Sequence, residues 1–327
     1  MTAPPVNAAR RSMAFVMDPV ERESFATSTT LVLMREAQRR GHEVLYVDPR
    51  DLCVIDGRAA ARVTPVTLHW DACRVERGEP RRVVLDEAVD VVFQRKDPPV
   101  DPDYVVTTQI LGSCRRTLVL NRPSSVLAYN EKLFALHFRE VMPETIVSRS
   151  LGDLYAFMDR LGGQMIVKPL DGKGGEGIFH VVKGERNVAS ILEQSTAFES
   201  RYAMAQRYLP EVRDGDKRIL LLEGEPLGAV LRVPAETETR ANLHVGGRAA
   251  RTRLADADRR IVERIGPVLR EEGLFFVGID VIGGYLTEVN VTSPTGMQEI
   301  DALDDVRLEE RVIARVEQLL AGGVTRV

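Results

Sequence analysis

The 327-residue chain has few cysteines and no excess of basic residues, so its composition favours neither a disulfide framework nor binding to a polyanion. Its three cysteines, Cys53, Cys73 and Cys114, show neither metal-binding nor redox spacing, and an odd, sparse set fits a reducing compartment. We expect them to be small buried side chains. Lys and Arg total 44 against 48 Asp and Glu, so a formal charge of −4 offers no basic field for nucleic acid or an anionic membrane.

Long apolar runs are also missing. After the twin arginines Arg10 and Arg11, the apolar run 13–17 stops at Asp18, which is typical of a strand and not of a secretory signal. No apolar segment approaches the roughly 18 residues of a membrane span. We therefore expect a soluble, cytoplasmic protein with small-molecule partners, of about two domains at this length.

The first third of the chain predicts an α/β domain with a mostly parallel sheet. Strand-like runs and helical patterns alternate at residues 13–17, 31–40, 44–47, 89–93, 104–114 and 117–120. Ser28 is a plausible N-cap of the first helix and Gly41 its stop. Residues 56–87 cannot be assigned from their pattern, and residues 1–10 have the composition of a disordered tail.

The rest of the chain predicts further helices, strands and a mobile segment. Helices are expected at residues 124–138, 151–161, 256–272 and 306–320, and strands at 145–147, 164–168, 178–182, 201–209, 217–222 and 227–233. The end of the strand at 201–209 could be a hinge that contacts an adenine edge, and a plain strand end is an equal alternative. Residues 234–248 are polar and aperiodic, as in a lid, where Arg240 and Arg248 could bind anions.

A glycine-rich loop between two strands predicts phosphate binding. Residues 168–177 read KPLDGKGGEG, and the four glycines let the backbone approach a phosphate and present N–H groups to it. A strand-like run follows, whereas a dinucleotide-binding fold needs a helix there. The Walker A sequence and the HRD and DFG strings of protein kinases are also missing. The interpretation that remains is a flap that closes over phosphates. The alternative is a flexible hairpin loop.

The stretch 278–296, GIDVIGGYLTEVNVTSPTG, predicts a hairpin with a metal site. Glu288 and Asn290 are two residues apart, so on a strand they point to the same face. A two-residue Gly-Gly turn would put Asp280 on the other face, so we predict a three-residue loop, 283–285. These oxygen ligands are too few to enclose Mg²⁺, but they could hold it against a polyphosphate. A hairpin with a solvated polar face is the alternative.

Together these motifs resemble those of the prokaryotic glutathione synthetases, within the ATP-grasp superfamily. The likeness covers about residues 12–305, and its strings are QRKDPP (94–99), NEKLF (130–134), KPLDGKGG (168–175), YLP (208–210), DGDKR (214–218), ETRANL (238–243), VGGR (245–248) and TEVNVTSPTG (287–296). The order of the motifs is more specific than any one of them.

The resemblance implies an α/β protein of the α+β ATP-grasp type. A disordered tail at 1–10 would precede a mostly parallel α/β domain at 11–124 that binds substrate. A central ATP-grasp lobe with the glycine flap would span 125–205. A C-terminal ATP-grasp lobe with the lid and metal site would span 206–327, and the nucleotide would bind between these lobes.

The resemblance also implies roles for individual residues. ATP would be bound by Lys132, Lys168, Gly174, Gly175, Gln206, Tyr208, Leu209, Asp216 and Asn290. Mg²⁺, with Mn²⁺ as an alternative, would be bound by Asp280, Glu288 and Asn290. The catalytic residues would be Arg218 and Arg240, and the substrate-binding residues would be Ser28, Arg95, Asn242, Gly246, Gly247 and Ser293.

The implied reaction forms glutathione from γ-glutamylcysteine, glycine and ATP through an acyl phosphate, without a covalent protein nucleophile. The family also suggests a homo-oligomer. Two departures from its pattern stand out. The family has an Asp before two hydroxyl residues near the first helix, and this chain has Ser28 at that position. The lid has Ala241 and His244 where the family usually has Gly and Ala. The alternatives are another ATP-grasp carboxylate–amine ligase and a non-catalytic nucleotide-binding module.

Overall fold

The computed structural model describes residues 9–172, 174–235 and 246–322, which form three sheets with helices packed against them. The predicted disordered tail and most of the predicted lid, with Arg240 and Asn242, lie outside these residues. Among the described helices, none has the length and apolar character needed to cross a bilayer.

The first sheet has a parallel centre, as the sequence predicted. Its strands are β1 (Ser12–Val16), β2 (Glu43–Val47), β3 (Leu52–Ile55), β4 (Arg58–His69), β5 (Arg74–Arg77), β6 (Arg81–Val84), β7 (Val91–Gln94) and β8 (Leu118–Leu120). β1 pairs in parallel with β2 and β7, and β8 pairs in parallel with β7. The unassigned segment 56–87 provides antiparallel strands, because β4 pairs with β2, β3, β5 and β6.

Helices α1 (Thr29–Arg39), α2 (Leu85–Ala88), α3 (Pro102–Gly112) and α4 (Pro123–Ala128) accompany this sheet. Ser28 caps α1 as predicted, because its Oγ accepts a hydrogen bond of 3.2 Å from the N–H of Leu31. The expected helix at 124–138 is wrong: α4 ends early, and a 3₁₀ helix begins at Phe134. Between them, Asn130 Oδ1 accepts from the N–H groups of Lys132 and Leu133, which competes with helix continuation.

The second sheet contains β9 (Thr145–Ser148), β10 (Gln164–Pro169), β11 (Phe179–Val182) and β12 (Ala203–Arg207). It is antiparallel in the order β11-β10-β12-β9. Helices α5 (Leu151–Arg160) and α6 (Val188–Ser195) cover one face, where Phe157 and Leu192 pack with Val167. The predicted sequence of strand, glycine loop and strand is confirmed, since β10 and β11 flank the loop.

The third sheet is antiparallel in the order β15-β14-β13-β16-β17. Its strands and the last helices are β13 (Asp216–Leu222), β14 (Glu225–Val233), β15 (Arg248–Arg251), α7 (Asp256–Glu271), β16 (Phe276–Ile282), β17 (Tyr285–Asn290), α8 (Met297–Asp304) and α9 (Leu308–Ala321). As predicted, α7 lies against the last hairpin: Ile261 and Ile265 are buried in one cluster with Ile279.

The first and third sheets share a buried apolar core. Phe15 and Leu33 from the first sheet and its helix lie in one cluster with Val230 of β14 and Val312 of α9. Asn121 adds polar contacts at this junction. Its Nδ2 donates to the carbonyls of residues 276 and 291 at 3.0 and 2.7 Å, and its Oδ1 accepts from the N–H of residue 276 at 2.8 Å. The strand that carries Asp280 is therefore anchored to the first sheet.

The cysteines are free, and none of the three is fully buried as expected. Cys53 and Cys114 are only partly buried, and Cys73 is exposed. Cys73 has a φ of 46° at the end of a short 3₁₀ turn, where the chain reverses at the surface between β4 and β5. The expectation was wrong because it followed from composition, whereas exposure is set by the position of each residue in the fold.

The β13–β14 turn provides a test of this packing. Gly224 has a φ of 76°, and a Cβ on it would collide with the carbonyl oxygen of Gly266 in α7. We expect Gly224→Ala to lower the free energy of unfolding by roughly 2 to 4 kcal/mol, since overpacking adds to the cost of a positive φ. Gly184→Ala is the matched control, because Gly184 has a φ of 92° and open space around its Cβ position. Equal losses for both variants in urea unfolding would contradict the close packing.

Candidate functional site

A cavity of about 770 Å³ is lined by strand residues of the second and third sheets and by the start of α1 and loop residues next to the first sheet. The predicted site residues that line it are Ser28, Arg95, Lys132, Lys168, Gly174, Gly175, Gln206, Tyr208, Leu209, Asp216, Arg218, Asp280, Glu288, Asn290 and Ser293. Gly246 and Gly247 lie just before β15 and are not among the lining residues. The structure thus brings together motifs that are up to 265 residues apart in sequence.

The hairpin of β16 and β17 places Asp280 opposite Glu288, as predicted, but it does so through a β-bulge and not through a longer loop. The turn has two residues, Gly283 and Gly284, with φ angles of 56° and 80°, so the predicted three-residue loop is wrong. Two consecutive positive φ angles match the twist of a tight hairpin. The extra residue is Thr287, a β-bulge that shifts the register between Asp280 and its neighbour and turns Glu288 to the same face.

Thr287 also connects the bulge to a buried lysine. Its carbonyl accepts a 3.1 Å hydrogen bond from Nζ of Lys168 on β10, in the second sheet. Burial lowers the pKa of Lys168 to about 8, although Glu288 and Asp280 act in the opposite direction. The bulge therefore sets the register of the carboxylates and also fixes a cation beside them.

Asp280 is the most strongly paired carboxylate in the cavity. Its two oxygens accept from Nε and Nη2 of Arg218 at 2.5 and 2.9 Å, and Nη2 of Arg232 lies 3.1 Å from Oδ2. Burial alone would raise the pKa of Asp280, but the two guanidinium charges outweigh it and hold the pKa well below its usual range. Asp280 is therefore ionised although its side chain is only 5% exposed.

Arg232 is a cavity residue that the sequence reasoning missed. It lies in the otherwise apolar strand β14, and Nη2 donates at 2.5 Å to Asp216. Burial raises the pKa of Asp216 to about 6, with the Arg232 charge opposing that shift. Nε of Arg232 and Oδ1 of Asp216 are buried without a partner among the described residues. A charged residue in an apolar strand was the signal that could have identified it.

The NEKLF motif combines an anchoring residue with a site residue. Glu131 Oε1 accepts from the N–H groups of Val291 and Thr292 at 2.9 and 3.0 Å, which fixes the end of β17. Lys132 Nζ donates at 2.8 Å to the carbonyl of Gly172 and lies 2.9 Å from Oε1 of Glu288. Burial would lower the pKa of Lys132, but the Glu288 charge raises it above its ordinary value. A second buried cation thus lies beside the glycine loop.

The glycine loop is shaped by contact with its own strand. A Cβ on Gly172 would lie 2.8 Å from Cγ of Pro169 and 3.0 Å from the carbonyl oxygen of Glu176. Gly174 and Gly175 have φ angles of 61° and 85°, so the backbone turns through conformations that favour glycine. Glycine is therefore required here for close packing as well as for an unshielded backbone.

The end of β12 forms a flat, partly aromatic side of the cavity. Gln206 is buried and its Nε2 donates to Thr145 Oγ1 at 2.9 Å. The ring of Tyr208 stacks on His180 of β11 with 4.0 Å between centroids, and burial lowers the pKa of His180. Leu209 is buried beside them. A planar, apolar ligand with hydrogen-bonding edges suits this side.

Asp280, Glu288 and Asn290 form the candidate metal ligands. In the described part of the chain, no three His, Cys, Asp or Glu side chains are grouped so as to hold a metal ion. The two carboxylates and the amide are hard oxygen donors, and the Glu288 side chain is 22% exposed. This set fits Mg²⁺ only if another oxygen-rich ligand completes the coordination shell.

Comparison with solved structures defines the class of protein. The ATP-grasp ligase PsnB, complexed with a minimal precursor, aligns with 96% of this chain and 100% of its own at a TM-score of 0.63. The sequences are only 15% identical, so this likeness concerns the fold alone. The chain has the ATP-grasp fold, and the predicted fold class is confirmed.

Comparison of sequences defines the family. Models of the prokaryotic glutathione synthetase N-terminal domain and ATP-grasp domain match residues 12–126 and 131–305. Glutathione synthetase of Gloeobacter violaceus is 48% identical over 306 residues, covering 91% of this chain and 94% of that protein. That of Synechocystis sp. is 44% identical over 318 residues, covering 94% and 99%. The chain belongs to the prokaryotic glutathione synthetase family, and the resemblance noted in its motifs is confirmed.

The buried pairing of Arg232 can be tested through stability. We expect Arg232→Met to lower the free energy of unfolding by roughly 3 to 5 kcal/mol, because Asp216 loses its cation and Asp280 keeps only Arg218. The double variant Arg232→Met/Asp216→Asn should recover part of that loss, since it no longer contains a buried carboxylate without a cation at position 216. A double variant as unstable as the single one in denaturant unfolding would argue against the pairing.

Proposed function

We propose that the chain is an ATP-dependent ligase that forms glutathione from γ-glutamylcysteine and glycine. In this reaction the cysteinyl carboxylate becomes an acyl phosphate, the glycine amine attacks it, and ADP and phosphate are released. Membership of the family supports the class of reaction. The observation that carries the proposal is the convergence of Lys132, Lys168, Arg218, Asp280 and Glu288 in one cavity.

The nucleotide would lie between the second and third sheets. Lys132, Lys168 and the backbone of the glycine loop at Gly174 and Gly175 would bind its phosphates. Gln206, Tyr208 and Leu209 would hold the adenine, and Asp216 would lie near the nucleotide, with Asn290 at the phosphate end. The stacked aromatic side and the two buried lysines at one end support this orientation.

Mg²⁺, with Mn²⁺ as an alternative, would be held by Asp280, Glu288 and Asn290. When bound, the ion would neutralise phosphate charge and polarise the transferred phosphoryl group. ATP phosphate oxygens are the additional ligands that this donor set requires.

Arg218 is proposed as the main catalytic residue of the described site. Its guanidinium is buried, paired with Asp280 and 3.3 Å from the carbonyl of Thr295. A cation held in this way needs little reorganisation as negative charge develops on the phosphoryl group and the tetrahedral intermediate. Arg232 would contribute charge from the next strand. Arg240 remains a proposed second catalytic residue on the lid, outside the described residues.

The substrate end would be formed by Ser28, Arg95 and Ser293, with Asn242, Gly246 and Gly247 closing over it from the lid. Arg95 is buried, and burial lowers the pKa of its guanidinium to about 10. The predicted domains at 11–124, 125–205 and 206–327, cytoplasmic location and homo-oligomeric assembly belong to the same proposal.

The proposal predicts a three-substrate requirement. Phosphate release should need ATP, γ-glutamylcysteine and glycine together, and mass spectrometry should detect glutathione as the product. Each substrate is omitted in turn, with a chelator control for the metal. Turnover that does not depend on either γ-glutamylcysteine or glycine would contradict the proposed substrates and favour an ATP-grasp ligase with a different donor or acceptor.

The metal assignment predicts that Glu288→Ala abolishes turnover with little effect on folding. We expect a loss of at least about 100-fold, because charge stabilisation at the phosphoryl group is weakened. The fold should survive because the side chain is partly exposed in the cavity. Glu225→Ala is the matched control: Glu225 begins β14 in the same sheet, and its side chain is 71% exposed. Near-normal turnover of Glu288→Ala at all Mg²⁺ concentrations would refute the assignment.

A further inference from the structure

The connection between β1 and α1 brings a second acidic residue to the substrate end of the cavity. Glu23 follows the 3₁₀ turn Val20–Arg22 and lines the cavity together with Ser28. Ser28 Oγ donates to Oε2 of Glu23 and accepts from the N–H of Leu31 at the start of α1. The helix cap thus holds the Glu23 carboxylate in a defined position.

Glu23 has no cationic partner in the described part of the chain. Its only side-chain hydrogen bond there is the one from Ser28, which uses Oε2 and leaves Oε1 without a described partner. The charged groups that influence it are Arg95, Asp97 and Asp18. Arg95 instead donates to Thr30 Oγ1 at 3.1 Å and to the carbonyl of Pro294 at 2.9 Å.

The surroundings of Glu23 favour a cationic ligand. Burial raises the pKa of Glu23, and the charges of Asp97 and Asp18 add to that shift, whereas the Ser28 hydrogen bond and the Arg95 charge oppose it. Burial destabilises the ionised form of a carboxylate that has no bound counter-ion. An ammonium group that binds to it offsets this cost through a charge-assisted hydrogen bond. Glu23 lines the cavity, so such an ammonium could reach its carboxylate from the cavity side.

The proposed donor has an ammonium group at a suitable distance from its reacting end. In γ-glutamylcysteine the α-ammonium is seven bonds from the cysteinyl carboxyl carbon, roughly 8 to 9 Å in an extended chain. It must therefore bind away from the phosphates. Glycine is a poorer match, since its amine must lose a proton to attack, and a carboxylate partner would stabilise the protonated form.

We propose that Glu23 binds the α-ammonium of the γ-glutamyl group and so selects γ-glutamyl donors. The inference rests on the proposed function. The hydroxyl of Ser28 holds the carboxylate of Glu23, a residue five positions earlier. Glu23 determines specificity by binding the end of the donor that is distant from the reacting carboxylate. Arg218 and the phosphate-binding groups contact the reacting atoms.

The test compares wild-type enzyme with Glu23→Gln, which retains the side-chain size and can accept from Ser28. We expect the KM for γ-glutamylcysteine to rise roughly 10- to 100-fold, as for loss of a charged hydrogen bond. The kcat and the KM values for ATP and glycine should stay within about threefold. Glutarylcysteine, which lacks the ammonium, should be a poor donor for wild type, and Glu23→Gln should no longer distinguish the two donors.

Two further variants separate ligand binding from structure. Glu21→Gln is the matched control, because Glu21 lies in the same turn, is exposed and pairs with Arg77. It should leave all kinetic constants unchanged. Glu23→Gln/Ser28→Asp places a carboxylate at the adjacent cap position and should restore much of the affinity for γ-glutamylcysteine. That recovery would exclude a merely structural effect, and thermal unfolding of each variant checks the fold.

The outcomes separate this inference from the proposed function. An unchanged KM for γ-glutamylcysteine in Glu23→Gln, or a rise confined to glycine, overturns the role of Glu23 and leaves glutathione formation intact. Retained discrimination against glutarylcysteine in that variant also overturns it. Absence of glutathione formation by the wild-type protein overturns the proposed function and this inference together.

Discussion

The structure depends on the pairing of one buried carboxylate with two arginines. Asp280 on β16 faces Arg218 on β13, and Arg232 on β14 reaches it from the next strand. Three strands of the third sheet are therefore joined by charge as well as by backbone hydrogen bonds. A buried ion pair adds little net stability compared with apolar packing, but breaking it is costly. The arrangement is better explained by the need to keep guanidinium groups fixed at the proposed phosphate site than by stability alone.

The hairpin of β16 and β17 also makes hydrogen bonds with residues of the other two sheets. The bulge at Thr287 receives Lys168 from the second sheet, and Glu131 fixes the end of β17. Asn121, which follows β8, makes two hydrogen bonds with Phe276 of β16 and one with the carbonyl of Val291 just after β17. The hairpin that carries the candidate metal ligands is thus held by contacts from the other two sheets and from the 130–134 segment. Electrostatic preorganisation of this kind costs no reorganisation at the moment of reaction.

The cavity lining contains two groups of residues with different chemistry. Two buried lysines, a glycine loop and oxygen donors form the first group, where a polyphosphate and its metal are proposed to bind. Glu23, Arg95 and Ser293 form the second group, which suits a zwitterionic substrate carrying both charges. A substrate bound by the second group is proposed to present its reacting carboxylate to the first. Positioning of this kind can supply a large part of a ligase's rate acceleration without a protein nucleophile.

Local sequence by itself determined the helix cap at Ser28, the glycine loop between two strands and the alternation that puts Glu288 and Asn290 on one face. These features depend on neighbouring residues, so a single sequence is enough to predict them. Only the tertiary structure decided the antiparallel strands within 56–87. It also decided the bulge at Thr287 and the burial of Arg232. Each of these depends on which distant segment satisfies a hydrogen bond or a charge, and such partners are chosen when the whole chain packs.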